Sequence, residues 1–373
     1  MRKIFLSLFV VCSTLLHAQK VHQFEVKDNS NDYVRILFAG DAMQHSPQFK
    51  WAWDEKTRNY NYEPNFRYLQ PYLDGADVNI VNVETTFPGS KYSGYPQFRS
   101  PDDFFHAMLN AGFDIFALAN NHVNDSGQKG LQRTLKIMSA YPSMGAYINV
   151  KHREDTYPII LHVGGLKIAL FNATYGTNQL LPVAPNMVNY IETEQIEIDM
   201  AKSLKDSTID LRIMFIHWGT EYQLHHNAYQ QGVAQWLADL GMDVIIGSHP
   251  HVVQDMQVLE SADGREVPVV YSLGNLVSNQ RWENSNGGVM ALLDIDRYTK
   301  EVYDLQLVPY YVHKGRLPGD GDPSYPNTAN YYCIPTSDYI QEKLPFVLDE
   351  TAESELMLFH QNTLQRLGEE LIR

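Results

Sequence analysis

The sequence predicts an α/β fold, and three observations predict it. Apolar, β-rich runs alternate with helical stretches from about residue 32 onward, the pattern of strands joined by crossover helices. Several of these runs end alike, with polar residues directly after the last apolar position. Nearer the C-terminus the runs follow one another without helices between them, which argues for antiparallel strands and a second sheet. With 373 residues, 44% hydrophobic and 20% charged, the chain can bury a sizeable core and is too apolar for wholesale disorder.

The elements follow in order. "YVRILFAGDA" (33–42) is a strand ending in Gly-Asp, and "EPNFRYLQPYLDGA" (63–76) reads as a helix closing on Gly75. "VNIVNVETTF" (78–87) is a strand, and "PDDFFHAMLNAG" (101–112) a short helix with Pro101 at its start. "FDIFALANN" (113–121) is a strand and "GQKGLQRTLKIMSA" (127–140) a helix. "YPIILHVGGLKIALFNAT" (157–174) is a hairpin turning at Gly164 and Gly165. A strand at 211–219, a helix at 227–241 and a strand at 243–249 complete the alternation. "PVVYSLGNL" (268–276), "GGVMALLDI" (287–295) and "VYDLQLVPYYV" (302–312) then read as consecutive antiparallel strands. Residues 314–332, rich in Gly, Pro, Asp and Asn, predict a long surface loop. Beyond it Leu356, Phe359, Leu364, Leu367 and Leu371 recur at helical spacing, an amphipathic packing helix.

The first 20 residues, "MRKIFLSLFVVCSTLLHAQK", have the form of a secretory signal peptide. Arg2 and Lys3 are basic, residues 4–16 are an apolar run, and small Ala18 offers a cleavage point. The run is short beside the roughly 20 residues of a spanning helix, so retention as an anchor is the lesser alternative. The division expected is a signal peptide at 1–18, a polar linker at 19–31, one domain at 32–315, and a loop with a helical extension at 316–373 packed on it. The product is then exported, to the periplasm, the cell envelope or the medium. Cys12 leaves with the signal, and Cys333 alone cannot form an internal disulfide. A net charge of −15 argues against nucleic acid as a partner.

Five strand ends carry candidate chemistry: Asp41 and His45; Asn82 and Glu84; Asn120, Asn121, His122 and Asp125; His217 and Glu221; His249 and His251. Ligands of open α/β sheets bind beyond the carboxyl ends of the strands, so the five can converge. Imidazole and carboxylate together suit Zn, Mn or Fe. Asp41, Glu84, Asn121, His217, His249 and His251 would supply the ligands of a two-metal site that activates a water near neutral pH. His122 is placed to act as general acid toward a leaving group. Each piece alone has a bland reading, a turn or a hydrogen-bonded core histidine; five in one chain make the bland reading the lesser one.

The motifs "GDAM", "NVE", "NNHVNDSGQKG", "HWGTEY", "GMDVIIGSHPHVVQ" and "YSLGNLV" resemble the capsule-synthesis CapA family, the poly-γ-glutamate biosynthesis proteins related to calcineurin-like metallophosphatases. The resemblance implies a four-layer αββα sandwich of two mixed sheets flanked by helices, with the site at one edge of the sheets. It implies Asp41 and His251 at a first divalent ion, Asn121, His217 and His249 at a second, Glu84 between them and His122 as the acid. Arg99 in "FRSP" becomes a candidate anion contact, and Asn82, Glu221 and Asn275 join it as candidate substrate-binding residues. Met43 stands where metallophosphatases usually carry histidine, which leaves His45 to substitute, and Glu84 replaces the usual aspartate. The function implied is capsule or poly-γ-glutamate biosynthesis, through metal-dependent hydrolysis of a phosphoester or a γ-glutamyl amide. The alternative is a non-catalytic factor that holds an anionic polymer at the metal site. The partners implied are an anionic small molecule or polymer and a membrane-bound capsule synthesis complex.

Overall fold

The computed structural model describes residues 20–28, 30–191, 194–317 and 330–373. The expected signal peptide at 1–18 and the centre of the expected 314–332 loop therefore lie outside the described residues.

Two mixed sheets stack face to face. One has seven strands in the order Val21–Phe24, Ile159–Val163, Leu166–Thr174, Leu211–His217, Val244–Ser248, Glu266–Val270 and Met256–Glu260. The other follows the order Asn330–Pro335, Val302–Gly315, Gly287–Asp296, Tyr33–Ala42, Val78–Val83, Ile115–Ala117 and Ser143–Met144, with Asn275–Val277 also paired to Tyr33–Ala42. Strands buried on both faces read as nearly continuous apolar runs, and period-two alternation sorts their side chains. In Tyr33–Ala42, Val34, Ile36 and Phe38 face the inter-sheet core, while Leu37 and Ala39 face the outer core. Phe38 meets Phe215 of the other sheet edge to face, with ring centres 5.6 Å apart.

Helices cover both outer faces. Asp102–Ala111 contributes Phe104, Phe105 and Met108 to the outer core of the second sheet, and Gly127–Ile137 contributes Leu131 and Leu135. Val233, Ala234 and Leu237 of Ala228–Asp239 pack on the first sheet, as do Ile196 and Met200 of Glu194–Lys205, a helix the sequence reading passed over. The four-layer αββα sandwich is therefore present. The C-terminal helix, Glu350–Leu367, buries Leu356, Phe359 and Leu367 on the face that also carries Leu307 and Tyr311 of the strand Val302–Gly315.

Four local expectations change. The 19–31 segment is not only a linker: Val21–Phe24 pairs in parallel with Ile159–Val163 and extends the first sheet. The 63–76 helix breaks into Glu63–Phe66, a 3₁₀ turn Arg67–Leu69 and Gln70–Asp74, because Pro71 has no N–H to continue a helical ladder. The 314–332 stretch loses both ends to strands, since Lys314 pairs with Tyr331 and His313 with Tyr332. The 268–276 run is not one antiparallel strand. Its first half, in Glu266–Val270, runs parallel to Val244–Ser248 in the first sheet, and its second half, Asn275–Val277, runs parallel to Tyr33–Ala42 in the second. The chain thus crosses between sheets at 271–274, which brings their strand ends together.

Candidate metal centre

Two glycines allow the strand ends to converge. A Cβ on Gly40 would lie 2.0 Å from the carbonyl oxygen of Gly274, and one on Gly247 would lie 2.0 Å from that of Tyr271. With both absent, the backbone N–H of Asp41 donates to Gly274 O at 3.0 Å, and that of Leu273 donates to Gly247 O at 3.0 Å. The crossover is bound to both sheets at the level of Asp41 and Ser248. Beyond Ser248 the chain turns sharply, with His249 at φ 102° and His251 at φ 58°, a region L-residues rarely occupy. Such strain gathers at functional sites, and here it aims two imidazoles at one point.

Asp41, Glu84, His217, His249 and His251 meet in a buried cluster. His251 Nδ1 lies 3.2 Å from Asp41 Oδ2, and His217 Nδ1 lies 3.9 Å from Asp41 Oδ1. Glu84 Oε1 is 3.6 Å from His217 Nε2, 3.9 Å from His251 Nε2 and 4.0 Å from His122 Nε2. Donor atoms of Glu84, His249 and His251 lie within 4.8 Å of one another, and so do those of Asp41, Glu84 and His217. Both triads share Glu84. Asn121 Oδ1 joins them, 2.9 Å from His217 Nε2.

The polar accounting of this cluster is incomplete without a cation. Both carboxylate oxygens of Glu84 and Nδ1 of His249 are buried with no hydrogen-bond partner, where buried polar atoms are otherwise paired. Burial first, then the charges of Asp41, Glu221 and Asp125, pushes the Glu84 carboxyl well above the usual carboxylate range. Burial, then the neighbouring imidazoles, holds His217 and His249 well below the usual histidine range. Neutral imidazoles and a carboxylate that lacks a counter-charge make a donor set that fits one or two divalent ions.

Supporting groups hold these side chains in place. Asn82 Nδ2 donates to Asp41 Oδ1 at 2.7 Å and lies 3.3 Å from His217 Nδ1. Ser248 Oγ lies 2.9 Å from the same His217 nitrogen. Asn275 Oδ1 is 3.1 Å from His251 Nδ1, and its amide donates to His251 O at 3.2 Å. Asn82 and Asn275 therefore face the cluster side chains, each fully buried, rather than open space. His122 stands at the rim, its Nδ1 2.7 Å from Asp125 Oδ2 and its Nε2 toward Glu84.

A cleft of about 660 Å³ opens from the cluster, lined by His122, His251, His45, Glu221, Tyr222 and Trp282 among others. His45 enters neither donor triad; its Nδ1 accepts from the backbone N–H of Asn279 at 3.3 Å and its ring packs on Phe98. Arg99 does not reach the cluster. Its guanidinium donates to Asp125 O at 3.0 Å and to Gln97 Oε1 at 3.0 Å, so it braces the His122 loop. Two participants escaped the sequence reading of roles. Asp125 holds His122, a pairing its i+3 spacing could have shown, and Tyr175 packs its ring on His249 with centres 4.6 Å apart. Tyr175 sits after the strand Leu166–Thr174, one more strand end of the same kind.

Residues 35–280 match a family model described as bacterial capsule synthesis protein PGA_cap. The capsule biosynthesis protein CapA of Bacillus anthracis is 27% identical over 304 residues, 78% of this chain and 70% of that one. The PGA biosynthesis protein CapA of Bacillus subtilis is 25% identical, over 76% of this chain and 73% of that one. Among solved structures, a phosphatase from Mycoplasma pneumoniae aligns with a TM-score of 0.46 and 15% identity, covering 74% of this chain and 93% of that one.

Proposed function

This chain belongs to the family of bacterial capsule synthesis proteins, PGA_cap, and we propose that it serves envelope-polymer biosynthesis as an exported, metal-dependent hydrolase of a phosphoester or a γ-glutamyl amide. The observation that carries the reading is Glu84. A fully buried carboxylate with two unpartnered oxygens, faced by His217, His251 and His122, is a costly feature in a chain without a cation to bind it.

Asp41, Glu84, Asn121, His217, His249 and His251 would hold the ions. A divalent ion supplies Lewis acidity there, acidifying a water and drawing charge from an anionic oxygen. The remaining steps fall to the chain. Asp125 fixes the His122 ring through Nδ1, which leaves Nε2 to give its proton to the leaving oxygen or nitrogen. Phe98, against the same ring, keeps water from its face. Export is supported by the basic, apolar and small-residue order of the first 18 residues.

The test is metal analysis of the purified protein beside turnover of p-nitrophenyl phosphate and a γ-glutamyl anilide with added Mn or Zn. Bound metal and turnover are expected. His122→Ala should lower turnover by about a hundredfold or more and leave metal content unchanged. A protein that neither holds metal nor turns over either substrate refutes the reading. A second reading, a non-catalytic factor that holds an anionic ligand through its metal, draws on Met43, which occupies a position where metallophosphatases use histidine. Intact polymer binding in His122→Ala, with loss in His249→Ala, would favour it.

A further inference from the structure

The cleft beside the metal centre has a recognition chemistry of its own. Three exposed aromatic side chains line it: Tyr95, 81% exposed, Trp282, 62%, and Tyr222, 37%. Exposed aromatics concentrated at one cleft mark a binding surface rather than a packing accident. Tyr222 and Trp282 meet at 4.9 Å between ring centres and 58° between planes, and Tyr222 lies 6.0 Å from the His251 ring. The aromatic wall therefore begins at the metal ligands and runs outward.

Charge narrows the ligand. The cleft carries the exposed carboxylate of Glu221. Its one lining Lys or Arg is Arg281, whose Nη1 donates to Val312 O at 2.7 Å while Nε and Nη2 are buried without a hydrogen-bond partner. Lys314 stands outside the lining, its ammonium donating to Asn279 Oδ1 at 2.8 Å. Among the described residues lining the cleft, the one guanidinium of Arg281, its free nitrogens buried, is too little positive charge for the row of carboxylates that a polyanion presents. Geometry narrows it again. Tyr222 and Trp282 already touch, so no planar base slides between them; they form one tilted wall suited to the C–H face of a saturated ring. The exposed carboxylate of Glu221 is a partner for ring hydroxyls.

We propose that the cleft binds an uncharged sugar ring carried by the group that sits at the metal centre, so that the substrate class is a glycosyl or sugar phosphoester. The inference rests on the hydrolase reading for turnover but not for binding, and two measurements separate them. Saturation-transfer NMR on the metal-free full chain should show contact to a methyl hexoside, lost in Trp282→Ala, and none to oligo-γ-glutamate or adenosine. With Mn, a hexose phosphate should be hydrolysed about tenfold more efficiently than glycerol phosphate, through KM, and Trp282→Ala should erase that preference while glycerol phosphate turnover stays. Hexoside contact without any turnover upholds the sugar site and refutes the hydrolase reading. Turnover without sugar preference or hexoside contact overturns the sugar site and leaves the hydrolase reading standing. Contact to oligo-γ-glutamate or adenosine that Trp282→Ala removes, with none to the hexoside, also overturns it.

Discussion

Glu84 and His45 show what burial does to single groups beside this cleft. Glu84 has its carboxyl raised by burial, then by Asp41 and Glu221, so a bound cation favours loss of its proton. Calorimetry at successive pH values, in buffers of different ionisation enthalpy, should report protons released as metal binds, and Glu84→Gln should lower the release and remove most of the affinity. His45 has its imidazole lowered to about 4, first by burial and then by nearby His251 and His122. Its folded pKa lies below the unfolded value, so its contribution to stability is present above about pH 6.5 and is lost as the pH falls toward 4. His45→Gln should flatten the metal-free stability profile across that window, by at most about 3 kcal/mol, read from urea unfolding at successive pH values. At this scale the sequence shows residue types but not directions. Asp41, Glu84, His217, His249 and His251 were legible because each closes an apolar run. Arg99 was legible as a cation near the site, but nothing in "FRSP" shows that its fork is taken by the Asp125 carbonyl.

Among the elements, the strand Val244–Ser248 carries the heaviest constraint, because it leads directly into the turn that holds both His249 and His251. Gly247 sits where a Cβ would be 2.0 Å from Tyr271 O and 2.5 Å from Trp218 Nε1. Gly247→Ala must push the 271–274 crossover away from the strand, breaking the Leu273–Gly247 hydrogen bond. The expected cost is about 1–3 kcal/mol of stability, with a larger proportional loss of metal affinity, since the shift moves His249 and Asp41 apart. Thermal unfolding with and without metal checks both. The same crossover explains where sequence reading of the fold stopped. Periodicity identified "PVVYSLGNL" as β-structure, correctly, but a pattern local in sequence cannot show that its halves pair in different sheets. Val21–Phe24 was missed for a related reason: four residues with half-exposed side chains carry too little apolar signal, and their strand exists because the edge of Ile159–Val163 accepts it.

For the whole molecule, the site lies where two sheets meet, and its residues come from both. Asp41 and Glu84 lie at strand ends of the eight-stranded sheet, and His217, His249 and His251 at strand ends of the seven-stranded one. A bound ion would therefore cross-link the halves of the sandwich, adding to the apolar contact that already joins them through pairs such as Phe38 and Phe215. Without the ion, the carboxylate of Glu84 and the imidazole of His249 are buried unpartnered at that junction, so the metal-free protein bears a desolvation cost that the loaded protein does not. An ion that binds only the folded chain stabilises it by mass action, about 2.7 kcal/mol at a hundredfold excess over Kd. Chelation should therefore lower the midpoint of thermal unfolding, and added Mn or Zn should restore it. If the ion joins the sheets, Asp41→Asn on one and His249→Ala on the other should each remove most of the metal-dependent rise, and the double variant should lose little more than either single one. Independent, additive losses would mean that Asp41 and His249 serve separate ions rather than one shared ion.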